Sequence, residues 1–402
     1  MPADNSSSKR GLGFRESIAL LALMISLVAL SVDTMLPALP DIGRDLGVRH
    51  SNDVQLVVSV LIFGLAIGQL IYGPLSDSTG RKPAIFAAIA IFTLGCLLSI
   101  FATRFEVMLA GRLIQGIGAS GPRSVIVALV RDQYGGRAMA RMMSAVMAVF
   151  IIVPAVAPAL GQTILLVANW RSIFVVLMLL GIIALTWFTI RQPETLAREL
   201  RIAFSPKKIM MGAAEVCTNR IALGYTLAAG FIMGAFLGYL NSVQQVFQEV
   251  YSLGRQFPIY MAVLALFVGG ASYYSSRIVM RVGMRSLSRR AIMLLIVISV
   301  IYFTTVYFMD GHSPFWMMMV CFALAFFCLG ILFGNLNAIA MEPLGHIAGV
   351  GSAVVGSLST FVAVPFGLVI GRSYDGTTLP LVGGFAILST LAALVMRWAD
   401  TK

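Results

Sequence analysis

Two long apolar runs joined by a short polar turn make up residues 55–102, which read QLVVSVLIFGLAIGQLIYGPLSDSTGRKPAIFAAIAIFTLGCLLSIFA. Each run is long enough for a helix to cross a bilayer, which takes about 20 mostly apolar residues. Neither run alternates apolar and polar residues over about ten positions, as the strands of a membrane barrel do. Similar runs recur along the whole chain. The pattern therefore predicts an all-α membrane protein with many spans.

The amino-acid composition indicates the same class of protein. Apolar residues make up 59% of the 402 residues and charged residues 11%, less than half of the roughly 25% found in soluble domains. A soluble protein of this size needs a far more polar surface. Despite the net charge of +12, the composition excludes a soluble enzyme, a disordered chain and a nucleic-acid-binding domain. We expect the lipid bilayer, and no nucleic acid, as a partner.

The chain length fits about twelve spans, because a span and its loop use roughly 33 residues. The spans, numbered 1 to 12 in chain order, are predicted near residues 17–37, 55–73, 83–102, 106–130, 143–163, 173–190, 221–243, 258–276, 291–309, 315–339, 347–370 and 380–397. The longest polar gap divides them into six and six. We expect an N-terminal segment, a first half, a linker, a second half and a tail at residues 1–16, 17–190, 191–220, 221–397 and 398–402.

Basic residues determine the expected orientation. Of the 29 lysines and arginines, 21 lie in the termini, the linker and the loops that share one side of the predicted bundle, and 6 lie on the other side. Cytoplasmic segments of membrane proteins carry the excess of Lys and Arg. We therefore expect both termini and the linker to be cytoplasmic.

The two predicted halves show a degenerate internal repeat. With an offset of 203 positions, Gly80 aligns with Gly283 and Lys82 aligns with Arg285. Asp77 has no acidic counterpart in the second copy. Transporters are often built from such repeats, with the substrate site at the repeat interface.

The turn between spans 2 and 3 resembles the loop signature of the major facilitator superfamily. The matching residues are Gly73, Asp77, Gly80, Arg81 and Lys82. This resemblance implies the superfamily's fold, with two pseudo-symmetric halves of six helices. It also implies that this turn is a cytoplasmic gate, in which Asp77 faces the start of span 11 across the two halves. The alternative is that Arg81 and Lys82 only anchor the topology.

Four other stretches resemble motifs of that superfamily or of its drug exporters. Residues 31–40, SVDTMLPALP, are similar to the span 1 motif of drug:proton antiporters, and residues 112–118, RLIQGIG, are similar to the superfamily's span 4 motif. Residues 341–349, MEPLGHIAG, and residues 194–196, ETL, resemble the Bcr/CflA branch of multidrug exporters.

The antiporter motif of span 5 is present in part. Pro154, Pro158 and Gly161 match it, whereas Val153 stands where the motif has a glycine. Each proline removes a backbone donor and crowds the preceding helical turn, so we expect this helix to kink.

Asp33 lies within predicted span 1, where a charged group costs at least about 2.5 kcal/mol and usually faces a cavity or a partner. A carboxyl group holds its proton in apolar surroundings and releases it beside a cation. Arg112 in span 4 is predicted at the same depth, about 9 Å from the midplane. We expect Asp33 and Arg112 to couple transport to protons. The alternative is that Asp33 is an interfacial residue.

Arg123 follows Arg112 by eleven residues and so returns to nearly the same face of span 4. Gln115 and Ala119 lie between them. We expect Arg123, Gln115 and Ala119 to line the substrate cavity, which favours neutral, zwitterionic or anionic substrates. The alternative for Arg123 is that its long side chain reaches the membrane surface.

The second half carries further polar candidates for the substrate cavity. These are Asn241 and Gln245 at the end of span 7 and Asn335 in span 10.

The chain carries no P-loop, catalytic triad or cofactor fingerprint, and its histidines and cysteines lack metal-ligand spacing. We therefore expect no enzyme activity, cofactor or metal. The resemblance implies a monomeric, proton-coupled exporter of small amphipathic drugs or related metabolites in a bacterial inner membrane. Two alternatives stay open. One is a dedicated proton-coupled transporter of a metabolite such as a siderophore or an amino acid. The other is a channel or a non-transporting membrane receptor.

Overall fold

The computed structural model describes residues 13–401, with all side chains except those of residues 140, 151 and 255. Residues 1–12 of the predicted N-terminal segment and residue 402 of the tail lie outside the described residues. Within residues 13–401, twelve helices of at least 20 residues follow one another, and no strand occurs. From span 1 to span 12 they are Phe14–Asp33, Leu56–Thr79, Arg81–Ile100, Phe105–Gln133, Gly136–Val167, Arg171–Arg191, Arg220–Gln245, Phe257–Val282, Met284–Phe308, Phe315–Met341, Ala348–Arg372 and Leu379–Asp400.

Eleven stretches of the described chain are long and apolar enough to cross a membrane. One of them, Phe315–Arg372, has 58 residues and contains the helices of both span 10 and span 11, with the 3-10 turn Glu342–Ile347 between them. Each predicted span therefore corresponds to one long helix. The all-α fold class is confirmed, because in lipid a helix satisfies all of its backbone polar groups internally.

Two shorter helices interrupt the series of spans. Leu39–Asp45 follows span 1, and the linker helix Pro206–Thr218 lies between the halves. The sequence defines the start of the linker helix, because the Ser205 side chain accepts a hydrogen bond from the Lys208 backbone N–H at 3.3 Å and proline occupies the first turn. The Asn219 side chain caps span 7 in the same way.

The two halves pack as separate groups of helices that meet along two seams. In the first half, span 4 packs against spans 2 and 3, and in the second half, span 7 packs against spans 10, 11 and 12. Span 2 contacts span 11, and span 5 contacts span 8, across the boundary between the halves. We call the end of the bundle that carries the linker the linker face, and the other end the opposite face.

The turn between spans 2 and 3 and the turn between spans 8 and 9 share one backbone conformation. Gly80 has φ 106° and ψ 162°, and Gly283 has φ 82° and ψ 148°. Each glycine ends one helix and precedes the next, in a region of φ that side chains with a Cβ rarely adopt. The aligned glycines of the internal repeat therefore perform the same structural role in both halves.

Candidate functional site

A cavity of about 450 Å³ lies between the two halves on the linker face. Spans 2 and 4 line it from the first half, spans 10 and 11 line it from the second half, and linker residues line its mouth. Just beyond the lining residue Gly356, the Ser357 hydroxyl donates a hydrogen bond of 2.7 Å to the Ala66 carbonyl. This bond joins span 11 to span 2 and bounds the cavity towards the opposite face.

The charges that line the cavity are mostly positive. Arg123, Arg131 and Lys208 contribute basic groups, and Asp77 contributes the acidic group. The Arg123 side chain is exposed and lines the cavity. In residues 13–401, Arg123 forms no salt bridge. The structure thus places Arg123 in the cavity wall.

On the opposite face, hydrogen bonds close the boundary between the halves. The Asn52 amide donates to the carbonyls of Arg372, at 3.0 Å, and Tyr374, at 2.8 Å, and its oxygen accepts from Gln245 at 2.7 Å. We call this set the polar seam, and its members are Asn52, Asp53, Gln55 and Ser59 of the first half and Asn241, Gln245, Arg372 and Tyr374 of the second half. The two halves are therefore in contact on this face and apart at the linker face.

The polar seam continues inwards and outwards from Asn52. Inwards, the Asn241 amide donates to the Ser59 hydroxyl at 2.8 Å and to the Gly367 carbonyl at 3.0 Å. Outwards, Arg372 forms a salt bridge of 2.7 Å with Asp53. Asn241 and Gln245, which were expected in the substrate cavity, thus lie in the seam, because span 7 turns this face towards span 2.

Asp33 is the last residue of the span 1 helix and is buried, with 6% of its surface exposed. In the described part of the chain it forms no salt bridge. Tyr239 of span 7 lies near Asp33. The Tyr239 hydroxyl is itself buried without a hydrogen-bond partner among the described residues. Asp33 therefore occupies a dry position between the halves.

Arg112 is completely buried and donates three hydrogen bonds within the first half. Its acceptors are the Ser31 carbonyl at 2.7 Å, the Val57 carbonyl at 2.9 Å and the Gln115 side chain at 2.6 Å. The matched depth of Asp33 and Arg112 does not bring them together as an ion pair in this conformation. The guanidinium instead binds the backbone of span 1 two residues before Asp33.

Gln115 and Ala119 lie outside the described lining of the cavity, which differs from the expectation for span 4. Both are fully buried, and the Gln115 amide donates to the Cys96 sulfur at 3.3 Å. The cause is close packing: a Cβ atom on Gly118 would lie within 3.0 Å of the span 3 backbone, and one on Gly116 would meet the span 2 backbone. These glycines bring spans 2 and 3 over the face that carries both residues.

Asn335 also lies outside the described cavity lining. Its amide donates to the Ser275 hydroxyl at 3.2 Å and joins span 10 to span 8. Asn337, two residues later, lines the cavity in its place. The helical rotation between the two positions accounts for the difference, because residues two apart point to different sides of a helix.

In the predicted gate motif, Arg81 binds acidic groups of its own half. Its guanidinium donates to Asp77 at 2.6 Å and to Asp132 at 2.8 Å. The Lys82 ammonium donates to the Thr189 carbonyl at 3.0 Å. Gly73 and Asp77 line the cavity together with residues at the start of span 11. The motif is therefore locked within the first half while the cavity separates it from span 11.

Glu194, which follows the span 6 helix by three residues, contacts this motif. Its carboxylate accepts hydrogen bonds from the backbone N–H groups of Arg81, Lys82, Thr195 and Leu196, at 2.9 to 3.0 Å. Partial burial acts to raise the pKa of Glu194, but these four backbone donors outweigh it and hold the pKa below its usual range. The carboxylate thus caps the N-terminus of the span 3 helix, where a negative charge is stabilised.

The span 5 helix passes through both Pro154 and Pro158 as one continuous helix of 32 residues. Gly161 of the same motif packs against the turn after Asp33, since a Cβ there would lie 3.0 Å from the Thr34 carbonyl carbon. The motif thus places span 5 directly against the end of span 1.

A sequence profile of the Major Facilitator Superfamily matches residues 21–368, which is most of the chain. The chain belongs to the major facilitator superfamily. It is a transporter and not an enzyme, as the sequence predicted, and it is a multi-pass membrane protein.

Curated relatives of this transporter include drug-resistance proteins. The chain is 29% identical to the MFS-type transporter YdgK of Bacillus subtilis, over 93% of each chain. It is 28% identical to a bicyclomycin resistance protein homolog of Haemophilus influenzae, over 96% of this chain and 97% of the relative. Multidrug resistance protein MdtL of Salmonella typhimurium is 29% identical over 60% of this chain and 61% of the relative.

A solved structure confirms the fold of this transporter independently of close sequence similarity. The human organic anion transporter MFSD10 (TETRAN) superposes with a TM-score of 0.70, covering 97% of this chain and 100% of that chain, at 17% identity.

The structure adds several residues that sequence reasoning on this transporter did not assign to the site. Arg131 and Asp132 lie in the last turn of span 4 and Lys208 lies in the linker helix, and only their position beside Arg81 or the cavity reveals them. Tyr239 sits in a glycine-rich apolar helix, where an aromatic residue ordinarily indicates packing.

Proposed function

We propose that this transporter is a monomeric, proton-coupled exporter of small amphipathic drugs or related metabolites, acting by alternating access in a bacterial cytoplasmic membrane. In this proposal the linker face is cytoplasmic. The observation that carries it is a buried carboxyl group, Asp33, which forms no ion pair in the described chain and lies between a sealed face and an open cavity.

The arrangement of the halves supports alternating access. The polar seam holds them together on the opposite face, while the cavity separates them on the linker face. Spans 2 and 11 contribute to both regions, so a rocking motion of one half against the other would open the seam as it closes the cavity. Such rigid-body rocking around a fixed central site is the usual mechanism of repeat-built transporters.

The surroundings of Asp33 support a role as proton carrier. A carboxylate without a partner in a dry site is far less stable than the neutral acid, so Asp33 carries a proton in this conformation. Opening the polar seam would bring water to the neighbouring positions on span 7. Asp33 then exchanges its proton with the opposite face when the polar seam is open, and keeps its proton when the polar seam is closed.

Arg112 is the group that makes this exchange depend on conformation. It holds the Ser31 carbonyl at 2.7 Å. A movement of span 1 that breaks this bond would leave one N–H of the guanidinium without its acceptor near Asp33, while Val57 and Gln115 still hold the rest of the group. A nearby cation favours the charged form of a carboxyl group. Arg112 therefore promotes release of the proton only after span 1 has moved.

The names of two relatives support export as the direction of transport. One is named a bicyclomycin resistance protein homolog and another a multidrug resistance protein, and resistance by a membrane transporter indicates export. Export against a gradient requires an energy source, and inward proton movement through Asp33 supplies it.

The test uses purified protein in vesicles with an imposed pH gradient and a panel of unrelated drugs and metabolites. We expect several compounds to move protons in the wild type, and Asp33→Asn to lose proton-driven transport while it keeps exchange of substrate across the vesicle. Asp310→Asn is the matched control, because Asp310 is an exposed acid at a turn with φ 51°, which Asn tolerates.

Three results would change the proposal. Full proton-driven transport in Asp33→Asn removes Asp33 from coupling. Proton movement with a single class of compound indicates a dedicated metabolite transporter. Substrate movement with no proton movement in the wild type refutes the coupled mechanism.

A further inference from the structure

The wall of the linker-face cavity carries three cationic side chains from two parts of the chain. Arg123 and Arg131 lie two turns apart on span 4, and Lys208 comes from the first turn of the linker helix. Among the described residues, none of the three forms a salt bridge. The cavity therefore presents a concentrated positive charge between the halves.

The one acid in the described lining does not neutralise this charge. Asp77 is held by the Arg81 guanidinium at 2.6 Å, and the Asp77 carbonyl accepts the Ile202 backbone N–H at 3.0 Å. Arg81 also binds Asp132, so both carboxylates pair with the one guanidinium of Arg81, and neither forms a salt bridge with a cavity cation. Their surplus of one negative charge stands against the three positive charges of Arg123, Arg131 and Lys208, so the cavity wall keeps a net positive charge.

Arg123 is the member of this set best placed to contact a bound anion. It lies eight residues farther from the linker end of span 4 than Arg131, and its exposed side chain lines the cavity between the halves. Arg131 and Lys208 are exposed nearer the mouth, where they raise the local concentration of anions on the path to Arg123. The three cations thus lie along one path from the linker face into the cavity, where they attract anions towards Arg123.

The remaining wall suits the organic part of such a molecule. Val127, Ile202, Ile209 and Val350 supply apolar surface around the cations. A volume of about 450 Å³ falls in the range of small-molecule sites, roughly 300–1,000 Å³.

From these observations we propose that the substrates are amphipathic organic anions or zwitterions, whose carboxylate or other oxyanion binds Arg123 while the apolar part contacts span 4, span 11 and the linker. This inference rests on the proposed function, since it names the substrate class of the same cavity. Arg131 and Lys208 attract the anion, and Arg123 binds it directly.

The test is a thermal-shift screen of the purified, full-length protein with small carboxylic acids, each paired with its own carboxamide and its own primary amine. We expect acids to raise the melting temperature and their amides and amines to do so less or not at all. Titration of the best acid should show about ten- to hundredfold weaker binding to Arg123→Gln, because a charge-assisted hydrogen bond is lost. Arg123→Lys should retain part of the affinity.

Arg281→Gln is the matched control, since Arg281 is an exposed arginine in the last turn of span 8 and lies outside the described cavity lining. We expect this variant to bind the acid as the wild type does. The melting temperature of each variant without ligand shows whether the variant has folded. Affinity for the acid should also fall with ionic strength, because salt screens the attraction.

Amides or amines that stabilise as well as the acids would overturn the proposal. An acid-induced shift of the melting temperature that survives in folded Arg123→Gln would also overturn it. So would the absence of a shift with every acid at concentrations up to about 10 mM, which detects dissociation constants of about 10 mM or lower. Neutral or cationic compounds that drive proton movement in vesicles would leave the exporter proposal intact and refute the anion proposal. Acids that bind without proton movement would leave the anion proposal intact and refute the exporter proposal.

Discussion

Gly161 on span 5 is the position where one added methyl group would press on the turn that follows Asp33. A Cβ atom there would lie 3.0 Å from the Thr34 carbonyl carbon and closer still to its oxygen, whereas ordinary contact begins at 3.4 Å. The neighbour is backbone and cannot rotate away, so the ends of spans 1 and 5 must separate by about 1 Å. Overpacking of this kind destabilises a protein by about 1–3 kcal/mol.

We therefore expect Gly161→Ala to lower the melting temperature by about 1–4 °C and to slow proton-driven transport, because the displaced turn follows Asp33. The matched control is Gly270→Ala in span 8, where an added Cβ meets nothing within 4 Å. Alanine favours a helix over glycine by about 1 kcal/mol, so the control should melt at the wild-type temperature or above. Equal melting temperatures and equal transport for the two variants would refute the reasoning.

Three further changes test the gate motif and the polar seam. Gly80→Ala should lower the melting temperature more than the same change at Gly283, because both have positive φ but only at Gly80 does the new methyl meet a neighbour, the Glu194 carboxylate at 2.6 Å; equal losses would contradict this. The lowered pKa of Glu194 means that its contribution to stability is complete above the usual carboxyl range and is lost as pH falls through the folded-state pKa. The wild type should therefore lose stability in acid more steeply than Glu194→Gln, and parallel acid melting curves would count against it. Asn52→Ala removes three hydrogen bonds of the polar seam, about 1 kcal/mol each. Ser242 is buried in span 7 next to Asn241 of the seam, so in a background without the native cysteines a Ser242→Cys thiol should react faster with a maleimide once Asn52 is replaced. An unchanged rate of labelling would mean that the polar seam does not seal this face.

The fold was predictable because the bilayer imposes a simple rule on the sequence. Each apolar run has to be one helix, and the polar turns at Gly80 and Gly283 mark where helices end. Several helices extend beyond the predicted spans at their polar ends. The span 5 helix is Gly136–Val167, whereas the predicted span was 143–163, because a helix can continue into water, where its backbone hydrogen bonds still form. Hydrophobicity alone does not record that extension.

The candidate site was predictable only in part, because periodicity tells which residues share a face and not what covers that face. Arg123 lies in the cavity wall, whereas Gln115 from the same stripe is covered by spans 2 and 3. The cover depends on glycines that let helix backbones approach, a property of two partners at once. The same limit hid Lys208, whose place in the cavity depends on how the linker docks.

The linker contacts both halves and limits the distance between them. Its first contact is the hydrogen bond from the Ile202 N–H to the Asp77 carbonyl of the first half at 3.0 Å. Its second is the linker helix, where Gly212 lies against Val350 and Glu215 pairs with His346 at 2.7 Å. Only residues 203–205 connect the two, and each extended residue reaches at most about 3.6 Å. While both contacts hold, the length of three residues therefore limits how far the halves can part on this face, and with it the width of the cavity opening.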